Sequence, residues 1–524
     1  MTRDAAIGEL KKKVREGAEW DVVIIGGGAT GLGAALEAVT RGYKTLLVEQ
    51  ADFAKSTSSK STKLVHGGVR YLAQGDVALV REASIERGLL TKNAPHLVHN
   101  TSFVIPAYSL WDSIMYTVGL KLYDWMAGRL SLGRSRHISK SETLKRLPTL
   151  SPKRLSAGIL YHDGQFDDSR LAINLVQTIA EHGGLVLNYV KVKGLEKNGR
   201  GKIVKVLLQD VENNETYKVV TKGVINATGV FADDVLRMDN PGAKHSIAAS
   251  QGVHLVLDRE FLPGDDALMI PKTSDGRVLF AVPWHNKIVV GTTDTPVNSI
   301  SLDPLALEQE ISFILATAGA YLNKPPQRSD VRSVWAGLRP LAAPQGNSEK
   351  TKEISRSHKI TISPAGLITI IGGKWTTFRK MAEDVIDKLE ESHGWPATGS
   401  VTSNLPLHGA LEKVDFHNPM YFYGADAALV EALASQEPAL KEVLSTRLCI
   451  IKAQVIWAAR NEMARTVEDV LARRIRALFL DAEEAVRIAP QVAHMLAGEL
   501  GHDKEWEQQQ LEEFRALAKT YMLN

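Results

Sequence analysis

Residues 21–49 read DVVIIGGGATGLGAALEAVTRGYKTLLVE, and this stretch predicts the architecture of the chain. The run 22–25 is β-branched and followed by glycines, as a buried strand of a parallel sheet would be. From 31 to 41, apolar residues recur at the i, i+3, i+4 and i+7 positions of one helix face, and Gly42 stands where such a helix would end. Residues 44–49 give a second buried strand. The pattern therefore predicts a complete β-α-β unit.

The turn of this unit, residues 26–31, matches the motif G-x-G-x-x-G between a strand and a helix. Gly26 permits a tight turn, Gly28 lets a pyrophosphate approach the backbone, and Gly31 lets the helix pack closely on the strand. The helix N-terminus adds N–H donors and a positive dipole end. Glu49 follows Gly31 by 18 residues and could accept hydrogen bonds from ribose hydroxyls. This predicts a dinucleotide site, but FAD and NAD share the fingerprint.

The segment that follows, residues 56–68, reads STSSKSTKLVHGG and is called the cofactor loop below. It is dense in hydroxyl groups and glycine, and it comes directly after the predicted ribose-binding acid. Such a loop could wrap a second phosphate and the edge of a ring. Its composition fits a solvated linker equally well, so the loop alone does not choose between the two.

The overall composition excludes several classes of protein. With 524 residues, the chain is long enough for about three structural units. Hydrophobic residues make up 44% and charged residues 23%, which is typical of soluble globular chains rather than of collagen-like or disordered ones. The 63 Lys and Arg against 60 Asp and Glu leave a net charge of +3, which provides no chain-wide field for nucleic acid. No nucleic acid partner is therefore expected.

Cysteine content and hydropathy limit the chain further. Cys449 is the only cysteine, so an internal disulfide, a thiolate zinc site and a cysteine-held iron–sulfur cluster are excluded, and we expect no bound metal. A single cysteine also fits a reducing compartment. Residues 1–20 mix acids and bases without an apolar core, unlike a secretory or transit peptide. Without a run of about 18 apolar residues, no membrane span is expected.

Further elements are predicted along the chain. Apolar, β-branched runs predict strands at 185–190, 203–209, 217–226, 253–257, 278–282 and 287–291. The last two flank His285 and Asn286 and are interpreted as a hairpin. A helix is predicted over 377–391, where apolar residues repeat at helical spacing. Beyond the Pro-, Gly- and Ser-rich stretch 396–406, the pattern is helical and charged, which indicates a separate helical domain.

Several further motifs accompany the glycine-rich turn. They read STKLVHGGVRYL at 61–72, INATG at 225–229, QGVH at 251–254, WAGLRPL at 335–341, GGKWTTFR at 372–379 and NEMART at 461–466, the last followed by Asp469, Arg473 and Arg474. In this order, and with residues 21–49, they resemble the FAD-dependent, quinone-linked glycerol-3-phosphate dehydrogenases of bacterial type. Trp375 departs from the pattern, where an aliphatic residue is expected. No D-x-[DN]-x-[DN]-G loop occurs, so the calcium-binding extension of mitochondrial members is not expected.

The resemblance implies an α/β fold: a Rossmann-type FAD-binding domain, an inserted mixed-sheet substrate domain as in D-amino-acid oxidase, and a C-terminal all-helical domain. The expected boundaries are a charged leader at 1–19, a FAD-binding domain at 20–90, 155–245 and 330–395, an inserted domain at 91–154 and 246–329, and a helical domain at 396–524. The implied reaction oxidises sn-glycerol 3-phosphate to dihydroxyacetone phosphate by hydride transfer to FAD, with electrons passed to a membrane quinone. A peripheral protein on the cytoplasmic face of the membrane is expected, and a homodimer is compatible with the sequence.

The matched motifs also supply candidate residues for the substrate. A phosphomonoester carries close to two negative charges, which guanidinium forks bind bidentately with lysine as a further cation. The resemblance implies that Arg70, Arg339 and Lys374 bind the phosphate, with Tyr71 as a hydroxyl donor. His254 is the candidate base for the C2 hydroxyl because histidine titrates near neutral pH. A histidine among apolar strand residues is, however, often structural. Arg339 and Lys374 complete the predicted catalytic set.

The resemblance implies a set of cofactor-binding residues as well. His66 is expected to touch the flavin, since it abuts Gly67 in the cofactor loop. The helix after Gly373, with Thr376 or Thr377 as N-cap, is expected to direct its positive end at the flavin. The predicted cofactor-binding residues are Gly26, Gly28, Thr30, Gly31, Glu49, Gln50, Ser58, Ser59, Thr62, Lys63, Leu64, His66, Gly67, Val192, Ala227, Thr228, Gly229, Gly373, Lys374 and Thr376.

Residues 110–136 predict an amphipathic helix suited to a membrane surface. One helical face collects apolar residues, including two tryptophans, and cations lie around or after it. The apolar residues are Leu110, Trp111, Ile114, Met115, Val118, Leu122, Trp125 and Met126, and the cations are Lys121, Arg129, Arg134 and Arg136. A helix packed on the protein's own core would show the same pattern. Basic C-terminal helices around Arg473 and Arg474 are an alternative membrane contact.

Three other functions are compatible with these residues. A glycerophosphate oxidase would reduce oxygen to hydrogen peroxide on a similar framework. An amino-acid dehydrogenase would use an arginine to bind a carboxylate, but Arg70, Arg339 and Lys374 together carry more charge than one carboxylate needs. A non-catalytic FAD-binding scaffold or sensor would require neither these cations nor His254.

Overall fold

The computed structural model describes residues 2–68, 76–127, 132–273, 276–343 and 358–523. The strands are β1 (Glu19–Ile25), β2 (Thr45–Val48), β3 (Leu64–Val65), β4 (Val98–Ala107), β5 (Arg136–Ser139), β6 (Ala157–Phe166), β7 (Leu185–Leu187), β8 (Val190–Lys197), β9 (Ile203–Asp210), β10 (Thr216–Asn226), β11 (Ile247–Asp258), β12 (Ala267–Ile270), β13 (Leu279–Trp284), β14 (Lys287–Gly291), β15 (Thr295–Pro296), β16 (Ser333–Ala342), β17 (Lys359–Ile362), β18 (Leu367–Ile371), β19 (Val443–Ser445) and β20 (Ile450–Ile451). The helices are α1 (Arg3–Arg15), α2 (Ala29–Thr40), α3 (Val77–Asn93), α4 (Leu110–Ala127), α5 (Lys140–Arg146), α6 (Asp168–Glu181), α7 (Ala232–Asp239), α8 (Glu308–Tyr321), α9 (Phe378–His393), α10 (Ala427–Gln436), α11 (Lys452–Asn461), α12 (Ala477–Leu480), α13 (Ala482–Leu500) and α14 (Lys504–Lys519).

The first sheet contains the predicted β-α-β unit. Its strand order is β17-β18-β10-β1-β2-β7, with β9 and β8 continuing from β10. Strand β1 lies parallel to both β2 and β10, and β2 is buried over its whole length. Helix α2 packs against α9 and α6. The Rossmann-type arrangement expected from residues 21–49 is therefore confirmed, with the strand ends and the α2 N-terminus at one edge of the sheet.

The second sheet is mixed and larger, with the order β15-β11-β14-β13-β12-β4-β6-β3; β16 pairs with β11 and β5 with β6. Strands β12 and β4 are parallel, and the other pairs are antiparallel. Strands β13 and β14 form the predicted hairpin, in which Trp284 pairs with Lys287 across a turn that places His285 at a φ of 49°. The expected mixed-sheet part of the fold is confirmed.

One local expectation differs from the structure, and one further helix was not predicted. The single strand predicted over 185–190 is two strands, β7 and β8, because Tyr189 between them adopts a left-handed φ of 55°. The charged leader contains helix α1, whose buried Ile7 and Leu10 pack against the first sheet. Arg3 in this helix is buried as well and pairs with Asp210 at 2.6 Å. Helix α1 was not predicted because most residues of the leader are charged or polar, which leaves only one short apolar stripe on the helix.

The C-terminal part is helical, from α10 to α14, with the small β19–β20 hairpin. It joins the segment after β2 through buried ion pairs: Arg474 donates to Asp52 at 2.6 and 2.9 Å, and Arg473 Nε donates to the same carboxylate at 2.5 Å. Both arginines are at most 2% exposed. The hypothesis that Arg473 and Arg474 present a basic membrane contact is therefore wrong, because their charges are neutralised inside the protein.

Among the helices of the described ranges, none has the length and apolar content that a membrane span needs.

Candidate functional site

The turn between β1 and α2 opens onto a cleft of about 580 Å³. Helix α2 begins after Gly28, and its first turn lines the cleft, with the Ala29 N–H donating to Ser58 Oγ at 2.9 Å. An anion bound here would meet a helix N-terminus and its positive dipole end. Lys55 and Lys191, which the sequence analysis did not single out, also line the cleft. The cleft is suited to a phosphate group.

Most of the predicted cofactor-binding residues line this cleft. They come from the β1–α2 turn, the end of β2, the cofactor loop, β8, the segment after β10 and the segment before α9. They are Gly26, Gly28, Thr30, Glu49, Gln50, Ser58, Val192, Ala227, Thr228, Gly229, Gly373 and Lys374.

Two glycines of the turn are required by close packing. Gly26 has a φ of +109°, and a Cβ on it would lie 2.7 Å from the Ala227 carbonyl oxygen. A Cβ on Gly31 would lie 1.8 Å from the Gly26 oxygen. Gly31 does not line the cleft, contrary to its place in the predicted binding set; it permits the helix to approach the strand.

Glu49 lies at the end of β2 with its carboxylate already oriented. Its oxygens accept hydrogen bonds from the backbone N–H groups of Gly27, at 2.7 Å, and Ala51, at 3.0 Å. Burial raises the pKa of this carboxyl. Each oxygen keeps a further lone pair, so Glu49 can still accept hydrogen bonds from hydroxyl groups in the cleft.

A second cavity, of about 300 Å³, adjoins the cleft. The two share Thr57, Pro340 and residues 372–375 as lining. Eight predicted site residues line the second cavity: Thr62, Leu64, His66, His254, Arg339, Gly373, Lys374 and Thr376. The structure thus brings the candidate base and two candidate cations to one cavity, next to the cofactor loop.

His254 lies on β11 and is 2% exposed. Its Nε2 is 2.9 Å from the Thr62 hydroxyl of the cofactor loop, and its ring stacks on Trp335 with centroids 5.4 Å apart. Burial, followed by the positive charges of Lys63 and Arg339, holds the pKa of His254 well below its usual 6.5. The surroundings of the imidazole therefore favour its neutral form, which is the form that a general base requires.

Arg339 lies on β16, which pairs with β11. Its Nη1 donates to the Gln251 carbonyl at 3.3 Å, and its Nη2 donates to Thr292 Oγ1 at 3.1 Å and to the Thr293 carbonyl at 3.0 Å. The Asp294 carboxylate lies 3.6 Å from Nη1. These contacts fix the plane of the guanidinium while 24% of the side chain stays exposed at the cavity wall.

Arg277 is a further cation of this wall that sequence reasoning missed. Its Nη2 donates to the Asp294 carbonyl at 2.5 Å, close to Arg339. Arg277 belongs to none of the quoted motifs and lies in a polar segment before β13, so the sequence offers no signal for it. The predicted Arg70 and Tyr71 lie outside the described residues.

Lys374 precedes a 3-10 turn, Trp375–Thr377, that leads into α9. The Trp375 indole N–H donates to the Ser58 carbonyl at 2.9 Å, which ties this turn to the cofactor loop. An aliphatic residue at this position could not make that bond. Thr377 stands at the N-cap of α9 as predicted, but its hydroxyl makes no capping hydrogen bond within the helix.

Besides Gly31, three predicted cofactor-binding residues lie in neither cavity wall. The Ser59 hydroxyl donates to a backbone carbonyl inside the cofactor loop. Lys63 Nζ donates to the Asp168 carboxylate at 2.7 Å, and the Gly67 N–H donates to the Tyr123 hydroxyl at 2.9 Å. These groups face away from the cavities because they anchor the loop to the protein beneath it.

The combined space fits a flavin dinucleotide. The cleft offers a helix N-terminus and lysines for a pyrophosphate and Glu49 for a ribose, and the glycines leave the backbone accessible. Its lining runs without interruption through residues 372–375 into the second cavity, which holds His254 and Arg339. A ring bound against residues 372–375 would face these two side chains.

Comparison with known proteins agrees with this assignment. Residues 21–378 match the family described as FAD dependent oxidoreductase, and residues 367–507 match the C-terminal domain of alpha-glycerophosphate oxidase. The chain is 38% identical to a probable mitochondrial glycerol-3-phosphate dehydrogenase of Caenorhabditis elegans, covering 98% of this chain and 75% of that protein. It is 39% identical to the mitochondrial glycerol-3-phosphate dehydrogenase of Homo sapiens, covering 95% and 73%.

A solved structure extends the comparison to the whole chain. The glycerol-3-phosphate dehydrogenase from Bacillus halodurans, complexed with FAD, superposes with a TM-score of 0.80 at 29% identity, covering 99% of this chain and 97% of that one. The agreement includes the helical C-terminal part. The chain therefore belongs to the family of FAD-dependent glycerol-3-phosphate dehydrogenases.

Proposed function

We propose that the protein oxidises sn-glycerol 3-phosphate to dihydroxyacetone phosphate and that its electrons pass to a membrane quinone. The observation that carries the substrate assignment is the second cavity, where the buried His254 and several cations lie beside the FAD cleft. A phosphomonoester supplies the negative charge that such a wall would bind. A sensor that only bound FAD would need none of these groups.

Each residue of the cavity has a separate task in this proposal. Arg339, held flat by its neighbours, binds the phosphate through its exposed edge, and Lys374 and Arg277 add positive charge. His254 takes the proton from the substrate C2 hydroxyl, and the Thr62 hydroxyl orients its ring. FAD, when bound, supplies the acceptor for the hydride. Arg70 and Tyr71 retain their predicted roles in phosphate binding.

The exposed apolar face of helix α4 supports contact with a membrane, where a quinone acceptor would be dissolved. Its outer face is apolar and exposed, with Trp111 at 73%, Trp125 at 78% and Val118 at 63% exposure. Its inner face packs through Leu120 and Tyr123, which are buried. The alternative in which the apolar face packs on the protein's own core is therefore wrong.

The other residues predicted for this helix are also either exposed on its outer face or packed on its inner face. Leu110, Ile114, Met115 and Leu122 are exposed with the tryptophans, whereas Met126 is partly buried against the inner cluster. Lys121, Arg134 and Arg136 are exposed, and Arg129 lies outside the described residues. An exposed stripe of tryptophan and aliphatic side chains next to cations suits the headgroup boundary of an anionic bilayer. We infer a peripheral protein at the cytoplasmic face.

The nature of the acceptor separates a dehydrogenase from a glycerophosphate oxidase. With glycerol 3-phosphate in air, we expect little hydrogen peroxide and slow turnover. Adding a quinone analogue should raise turnover without a matching rise in peroxide, as measured by a coupled peroxidase assay. Stoichiometric peroxide that a quinone does not suppress would identify an oxidase instead.

Changing Trp111→Glu together with Trp125→Glu should abolish binding to a membrane surface, because two exposed indoles at the lipid boundary would be replaced by charges that anionic lipid repels. In flotation with anionic liposomes, the wild-type protein should rise with the lipid and the double variant should remain in the dense fraction. Reduction of a soluble dye should be unchanged in the variant.

A matched control is the pair Leu429→Glu and Val443→Glu in the helical domain, where the native side chains are 54% and 56% exposed. This pair adds the same charge to exposed apolar positions away from α4 and should float like the wild type. Flotation of the tryptophan variant at the wild-type level would show that another surface makes the contact.

A further inference from the structure

We propose that Arg476, in the C-terminal helical domain, is a positioning residue that holds the cofactor loop in its FAD-binding conformation through Asp168. The inference goes beyond the family assignment by giving the helical domain a task in the site. It rests on the proposed function only in taking residues 56–68 as a cofactor-binding segment.

Asp168 is the point at which the cofactor loop is fastened to the protein. It lies at the start of α6 and is completely buried. Its carboxylate accepts hydrogen bonds from Ser61 N at 3.1 Å, from Ser61 Oγ at 2.7 Å and from Lys63 Nζ at 2.9 and 2.7 Å. Lys63 Nζ also donates to the Ser59 carbonyl at 2.7 Å, so three loop residues depend on this carboxylate.

Arg476 reaches the same carboxylate from the helical domain. Its Nη2 donates to Asp168 Oδ1 at 3.0 Å and to the Ser59 carbonyl at 3.3 Å. Its Nη1 donates to Ser169 Oγ at 2.5 Å and to the Ala472 carbonyl at 2.8 Å. The guanidinium therefore bonds the loop directly as well as through Asp168.

The backbone of Arg476 indicates that this placement is specific. Its φ is 61°, a left-handed conformation that residues with a Cβ seldom adopt. The side chain is 1% exposed and lies over the Phe479 ring at 4.4 Å and the Trp284 ring at 5.1 Å. A buried arginine in an unfavourable backbone conformation persists only where its surroundings hold it there.

The loop that Arg476 holds also contacts the candidate base. Thr62, between the fastened Ser61 and Lys63, has its hydroxyl 2.9 Å from His254 Nε2. Lys63 Nζ lies 5.4 Å from the centre of the Trp335 ring, on which His254 stacks. A shift of the loop would therefore disturb the FAD cleft and the histidine together.

A second buried ion pair provides a matched control. Arg170 on α6 donates to both oxygens of Glu462, at 2.8 and 2.7 Å, and both side chains are fully buried. Like the Arg476–Asp168 pair, it joins α6 to the C-terminal part of the chain. Among the described residues, neither Arg170 nor Glu462 makes a hydrogen bond or ion pair with the cofactor loop, so weakening this pair tests stability alone.

The experiment compares Asp168→Asn and Arg476→Met with Glu462→Gln. Holoenzyme is titrated with urea while flavin fluorescence reports FAD release and tryptophan fluorescence reports unfolding; apoprotein is then titrated with FAD. In the Asp168 and Arg476 variants, the FAD dissociation constant should rise about ten- to hundredfold, and FAD should leave before the chain unfolds. In the Glu462 variant, release and unfolding should shift together, with the dissociation constant near the wild-type value.

Ser61→Ala provides a milder variant if the buried changes prevent folding. It removes one hydrogen bond to Asp168, the Ser61 Oγ contact, and should raise the FAD dissociation constant severalfold with little change in the unfolding midpoint. FAD affinity that is unchanged in the Arg476 and Asp168 variants, or reduced no more than in Glu462→Gln, would overturn the proposal. The proposed substrate could fail independently, because FAD binding is measured without it.

Discussion

Arg339→Ala should lower kcat/KM for glycerol 3-phosphate by about a hundredfold or more, since charge-assisted hydrogen bonds in a bidentate pair are each worth about 1.5 to 3 kcal/mol. Use of unphosphorylated glycerol should change far less, because the loss concerns the phosphate alone. The measurement is anaerobic stopped-flow bleaching of the flavin absorbance with each substrate. Arg339→Lys should recover part of the loss, since lysine keeps the charge but not the planar fork.

Arg332→Ala is a suitable control for this experiment. Arg332 lies directly before β16, pairs with Asp258 at 2.7 Å and does not line the cavity. Its removal should leave both substrates nearly unaffected. Equal losses for glycerol 3-phosphate and glycerol in Arg339→Ala would exclude Arg339 from the phosphate site and direct attention to Arg277 and Lys374.

The β-α-β unit could be predicted because its information is local. Spacing of apolar residues sets the helix face, and the glycines of 26–31 are required by contacts within the same turn, as the 1.8 Å approach at Gly31 demonstrates. The β13–β14 hairpin is predictable for the same reason. In each of these segments, the residues that contact one another belong to the same element or to nearby elements of the chain.

The buried charges could not be predicted, because their partners are distant in sequence. Arg474 and Asp52 are separated by 422 residues, and the sequence around Arg473 and Arg474 has the pattern of a solvated basic surface. Lys63 presents the same difficulty, since a lysine in a hydroxyl-rich loop suggests solvent exposure until Asp168 is placed beneath it. Only the assembled fold brings the opposite charges together.

The candidate site likewise has one part that is encoded locally in the sequence and one part that depends on contacts between distant residues. The cofactor cleft follows from a motif whose geometry is local, and most of the predicted cofactor-binding residues line it. The second cavity depends on β11, β16 and the cofactor loop meeting, and pairs such as Thr62 with His254 have no sequence signature. The resemblance to a known family supplied His254 and Arg339, but it gave no indication of Arg277, whose position only the second sheet defines.

His254→Gln should reduce the rate of flavin reduction by about a hundred- to ten-thousandfold, which is the usual contribution of a positioned general base. Glutamine keeps a hydrogen bond to Thr62 but cannot accept the C2 hydroxyl proton. Binding of glycerol 3-phosphate, measured by its perturbation of the oxidised flavin spectrum, should change only a few-fold, because the phosphate contacts are intact. An unchanged reduction rate would mean that the proton leaves by another route.

The pH profile gives the same experiment a second readout. The folded pKa of His254 lies well below 6.5, chiefly through burial and then through the charges of Lys63 and Arg339, so the neutral, active form persists as pH falls through the ordinary histidine range. The wild-type reduction rate should therefore stay level below pH 6.5 and decline only at lower pH, where His254 gains a proton.

In Arg339→Lys the positive charge remains, so this level region should persist. In His254→Gln the decline due to His254 should disappear, because no imidazole remains to be protonated; a decline at the same pH in the variant would assign it to another group.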